Sequence, residues 1–139
     1  MTLLGRIHPL VIHFPIALVL VAALAELIAT VTGRLYWRTV AVANLRAGAA
    51  FGVIAAIAGW FLPRALGLDS TALLEWHRWI GTLAASLIVV AALGSAGADR
   101  RSPMEFRLYR LTLFSAAALV AVTGHLGGLL VWGPDLLQP

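Results

Sequence analysis

Residues 8–31 read HPLVIHFPIALVLVAALAELIATV, an apolar run opened by His8, Pro9, His13 and Pro15 and broken by one charge, Glu26. A helix needs about 20 apolar residues to cross a bilayer. The run from about Pro9 to Val31 supplies them before Thr32, Gly33 and Arg34 end the helix. Three more such segments follow. The second spans about 38–62, with its membrane portion from about Asn44, and Pro63 and Gly67 are expected to break it. The third spans about 71–94, after an N-cap in Asp69-Ser70-Thr71, and fades at Gly94-Ser95-Ala96-Gly97. The fourth spans about 104–132, opened by the capping box Ser102-Pro103-Met104-Glu105 and closed by Gly133-Pro134. Short loops between long helices force neighbours to be antiparallel. The expected fold is therefore an all-α, integral-membrane, up-down four-helix bundle, one transmembrane domain over residues 1–139.

Composition agrees. Hydrophobic residues make up 61% of the chain and charged ones 12%, and mean hydropathy is +0.94, far outside the range of water-soluble cores. The net charge of +4 is carried by arginine, with no lysine. These arginines fall between the apolar runs, which reads as membrane orientation and not as a nucleic-acid footprint. The absence of cysteine excludes disulfides, thiolate metal sites, iron–sulfur clusters and covalently attached haem. Arg6 precedes the first apolar run as in a signal sequence. That run is too long, and no small-residue cleavage site follows before Arg34, so the first span is expected to be retained.

Arg34 and Arg38 follow the first span. Arg100, Arg101, Arg107 and Arg110 lie between the third span and the start of the fourth. On the other side Arg6, Arg64 and Arg78 are offset by Asp69, Glu75 and Asp135. The positive-inside rule puts the arginine-rich loops in the cytoplasm and both termini outside, in the periplasm of a bacterial inner membrane. Trp60, Trp76, Trp79 and Trp132 form an outer aromatic belt, and Tyr36, Trp37 and Tyr109 an inner one.

With this topology the histidines share one half of the membrane. His13, His77 and His125 each fall roughly 8–10 Å inside a helix end, and His8 is shallower. Small residues lie on their faces: Gly81, Ala84 and Ala85 beside His77; Ala117, Ala118 and Ala121 below His125, with Gly124, Gly127 and Gly128 around it; and Ala17 beside His13. A histidine within a span is costly unless it faces the interior and has a partner. One alone is as readily a bundle histidine bonded to backbone or water. Three at one depth, with no carboxylate level with them, point to a shared ligand.

Imidazole serves haem iron, zinc and copper. Glycines beside His77 and His125 would make room for a flat macrocycle, and Arg6, Arg64 and Arg78 could meet propionates, so haem b is the first expectation. Its preferred axial ligands are His77 and His125, then His13, with Gly81, Gly124, Gly128 and Arg78 lining the site. His8 would serve a second site or a propionate. The alternative is a copper or zinc site drawing on His8, His13, His77 and His125. His8 and His13 stand about 140° apart on an ideal helix, so one helix cannot readily offer both to one small ion.

Three motifs in order, HPL with HFPIAL at residues 8–18, HRWIG at 77–81 and TGHLGG at 123–128, resemble those of DUF2231, a family of bacterial four-helix membrane proteins of unknown function. The resemblance covers nearly the whole chain, and all four histidine positions of the pattern are present. Members fused to cytochrome c domains imply a periplasm-facing, haem-linked or redox role, but the family supplies no reaction.

Glu26 is expected to pair with Arg46, with a proton-relay role as the alternative. Gly48, Gly52 and Ala56, with Ala55 and Gly59 offset from them, form small-xxx-small patterns suited to packing inside the bundle or to a homodimer face. Glu75 and Asp135 read as solvated charges. Hydrolase and nucleotidase motifs are missing. The functional expectation is a small b-type cytochrome-like protein in lipid, exchanging electrons with a periplasmic cytochrome c or a quinone. Copper or zinc binding or transport, and a cofactor-free structural subunit, are the alternatives.

Overall fold

The computed structural model describes residues 2–96 and 102–133. Arg100, Arg101, Asp135 and the Pro134 stop, used above for orientation and boundaries, lie outside the described residues. The helices are α1 (Thr2–Arg6), α2 (His8–Val11), α3 (His13–Thr32), α4 (Leu35–Leu66), α5 (Ala72–Gly94) and α6 (Pro103–Trp132).

The first three are one helical path with two interruptions. Pro9 has no N–H for the carbonyl of Gly5, and Pro15 has none for that of Val11. The turns at Ile7 and Ile12 fall beside these gaps. Hydrogen bonding nevertheless carries through: Ile12 N–H donates to His8 O at 3.0 Å and Ile16 N–H to Ile12 O at 3.4 Å. The first apolar span therefore runs from Leu3 to Thr32, beginning earlier than the expected Pro9. Its leading turns pack on the far half of α4. There a Cβ on Gly5 would stand 2.7 Å from the carbonyl oxygen of Phe61. Because that neighbour is backbone, Gly5→Ala is expected to cost about 1–3 kcal/mol and to loosen the N-terminal turns, measurable as faster amide exchange over residues 2–11.

Helix ends follow local chemistry. α3 stops at Gly33, left-handed at φ 69°. α4 continues through Pro63, which in the last turns removes a single hydrogen bond, and stops at Gly67, where φ is 66°. Gly67 is thus the breaker, and Pro63 is not. The Thr71 hydroxyl accepts from Leu74 N–H at 3.2 Å, and Ser102 and Glu105 form the reciprocal capping box.

α3 packs on α4, α4 on α5, α5 on α6, and α6 returns to α3. This is the up-down four-helix bundle. Val19, Leu45, Ile88 and Leu113 fill its centre among buried alanines. Gly48, Gly52, Ala55 and Ala58 of α4 face inward. At Gly48 an added Cβ would lie 3.0 Å from Val19 Cγ2, so this stripe serves packing within the bundle. Leu20, Leu24, Leu27, Ile57, Leu83, Val90, Leu111 and Val122 are exposed. An apolar outer surface around a small-residue core is what lipid as solvent requires.

Candidate functional site

Two polar constellations lie at opposite ends of the bundle. At the end formed by α2, the last turns of α4 and α6, and the start of α5, His8 Nδ1 lies 2.9 Å from Ala55 O and His77 Nδ1 lies 3.1 Å from Thr123 O. A carbonyl only accepts, so both Nδ1 atoms carry the proton and both Nε2 lone pairs are left available. The ring planes stand at 86° to each other, with centroids 6.3 Å apart.

The same device holds both. In α4, Ala55 offers the carbonyl, and Gly59, one turn later, leaves the space: a Cβ there would stand 2.9 Å from His8 Cε1. In α6, Thr123 offers the carbonyl and Gly127 the space, its notional Cβ 3.2 Å from His77 Cε1. The sequence separations are 47 and 46 residues. Each half of the chain thus contributes one imidazole, anchored on the outgoing helix of its own hairpin. The repeat escapes a reading of the sequence because only a histidine and a glycine recur. The signal was there in the four-residue spacings Ala55–Gly59 and Thr123–Gly127.

The other site residues fall differently. His13 and His125 are exposed on α3 and α6. The 140° offset between His8 and His13 is realised as one facing in and one out. Gly81 is covered by Thr123 Cγ2, 3.2 Å from its notional Cβ, and Gly124 by Ile16 Cδ1 at 3.8 Å. Gly128 is half-buried on α6. Gly59, Gly81, Gly124 and Gly127 therefore seat imidazoles and neighbouring side chains. Among the described residues, no group of three or more His, Cys, Asp or Glu side chains is placed to hold a metal ion.

Arg78 lies 3.9 Å over the Trp60 ring and donates to Glu75 Oε1 at 3.0 Å. Glu75 also accepts from Ser70 Oγ at 2.6 Å, so it is a paired charge and not simply a solvated one. Trp60 Nε1–H donates to Thr82 Oγ1 at 3.0 Å. This network ties α4 to α5 beside the histidine pair.

At the opposite end Glu26 is completely buried. Arg110 Nε donates to its Oε1 at 2.9 Å, and Arg38 Nε lies 3.6 Å from Oε2. Both guanidinium groups rest on the Phe106 ring, Arg38 at 4.5 Å and Arg110 at 4.1 Å from its centroid. Buried Tyr109 brings its hydroxyl beside the same carboxylate. The expected partner, Arg46, is instead exposed.

The family model of DUF2231, described as a predicted membrane protein, matches residues 6–136. The chain belongs to the DUF2231 family. The match spans both constellations and all four histidines, so the His8–His77 pair and the Glu26 cluster both lie within the family's domain. Comparison with curated proteins and with solved structures found no match.

Proposed function

We propose that the protein is a metal-holding membrane protein whose centre is formed by His8 and His77, one imidazole from each half of the bundle. The observation that carries this reading is the matched pair itself, with both Nδ1 protons given to backbone carbonyls and ring centroids 6.3 Å apart. A carbonyl on the distal nitrogen fixes tautomer and orientation in the manner of metal-bound imidazole. A bound ion lies about 2.0–2.1 Å from an imidazole nitrogen, hence about 3 Å from the ring centre. Two imidazoles on opposite sides of one ion therefore place their centres about 6 Å apart.

A centre with two protein ligands suits a metal that needs no more. Zinc takes three or four. A cuprous ion is satisfied by two, and imidazole suits copper. Haem iron also takes two, because the macrocycle supplies the rest. The filled glycine seats at Gly59, Gly81, Gly124 and Gly127 favour the bare ion, since a macrocycle needs an open slab between helices. The haem reading, with electron transfer to a periplasmic cytochrome c or a quinone, is supported by the same ring separation. In either reading the histidine end faces the periplasm, in keeping with the arginine distribution.

The test is anaerobic titration of the detergent-purified protein with cuprous ion against a chromophoric chelator, alongside oxidised and dithionite-reduced visible spectra. One cuprous ion per chain is expected, lost in His8→Ala and His77→Ala and retained in His13→Ala and His125→Ala. Sharp reduced bands of a low-spin b-type haem would replace copper by haem. Failure of wild type to retain either would overturn the metal reading.

A further inference from the structure

The Glu26 cluster carries more positive charge than its own structure uses. Two guanidinium groups face one carboxylate: Arg110 donates to it through Nε–H at 2.9 Å, and Arg38 Nε stands 3.6 Å away as an ion pair without a hydrogen bond. The terminal nitrogens of Arg38 and Arg110 make no hydrogen bond to another described residue. Both side chains remain partly accessible, at 20% and 26%, while Glu26 is sealed. Both guanidinium groups stack on the Phe106 ring, so their positions are set by one aromatic side chain and, from the core, by a carboxylate.

From this geometry we infer that Arg38 and Arg110 form a binding site for the phosphodiester of an anionic phospholipid. The charge balance selects this class. One carboxylate against two guanidiniums leaves a single uncompensated positive charge in a half-buried site, and a phosphodiester carries a single negative one. Guanidinium forks match phosphate oxygens and hold them by charge-assisted hydrogen bonds. The location selects a lipid as the source. Arg38 lies one turn into α4 and Arg110 two turns into α6, within helices long and apolar enough to cross a membrane, at the depth of headgroups and not of bulk water. Exposed Arg34 and Arg107 flank the same end and add attraction for an anionic leaflet.

The experiment is native mass spectrometry of the detergent-solubilised protein titrated with phosphatidylglycerol, with phosphatidylcholine, and with phosphatidylglycerol in the presence of inorganic phosphate. One phosphatidylglycerol per chain is expected, bound about tenfold more tightly than phosphatidylcholine, and Arg38→Gln is expected to remove about that factor. Glu26→Gln, which leaves both arginines uncompensated, is expected to strengthen retention. A purely structural role for the cluster would make the same substitution weaken it. Equal retention of the two lipids, or unchanged retention in Arg38→Gln, overturns the site. Displacement by millimolar phosphate overturns the lipid assignment in favour of a soluble phosphate. If Arg38→Gln fails to fold, the comparison of the two lipids on wild type still decides.

Discussion

Arg110→Ala is expected to destabilise the bundle by about 3–5 kcal/mol, the cost of breaking a buried ion pair from one side. Glu26 has no exposed surface, so its carboxylate cannot recover hydration when its 2.9 Å partner is lost. Arg38 is too far, at 3.6 Å, to replace that bond without moving. The fault also crosses the fold, since Glu26 lies on α3, Arg110 on α6 and Arg38 on α4. Reversible denaturation in mixed micelles measures it. Arg46→Ala is the control, expected within about 0.5 kcal/mol because Arg46 is exposed. Adding Glu26→Leu to Arg110→Ala should recover most of the loss, because the penalty is that of an unpaired buried charge and not of a missing attraction. Equal effects of Arg110→Ala and Arg46→Ala would mean that Glu26 is not held as described.

The four spans were legible because lipid imposes one demand, about 20 apolar residues in a row, which local sequence alone can satisfy. The caps at Thr71 and Ser102 were legible for the same reason. What was lost involved partners distant in sequence. Depth pairs Glu26 with Arg110 and not with the expected Arg46, since Arg46 lies three turns along α4, while Glu26 is under two turns from the end of α3 and Arg110 two turns into α6. His8 reads as shallow only if the first span starts at Pro9, and it starts at Leu3. Two prolines within seven residues read as a helix start, whereas the helical path passes through both and carries His8 onto α4. Depth did group His8 and His77 in one half of the bundle. It could not say that His13 and His125 face outward, which depends on how each helix is rotated against its neighbours.

The seat under His8 gives the sharpest test of that grouping, because it can be filled without touching a histidine. Gly59→Val is expected to lower cuprous affinity by about 10–100-fold, the usual cost of disturbing the groups that orient a metal-bound imidazole. The added Cβ would stand 2.9 Å from His8 Cε1 and 3.1 Å from Nδ1, so the ring must leave Ala55 O. It has little room to retreat with its backbone, since Gly5 already abuts the Phe61 carbonyl on the same helix. Gly124→Ala is the matched control: its nearest neighbour, Ile16 Cδ1, is at an ordinary 3.8 Å, and a helical glycine replaced by alanine gains helix propensity. That variant should bind copper as wild type does and unfold no more easily. Gly127→Ala, with its Cβ 3.2 Å from His77 Cε1, should fall between them. An affinity that follows this order ties the metal to both imidazoles through their seats. Wild-type affinity in Gly59→Val would remove His8 from the centre and leave its bond to Ala55 as a clamp between helices.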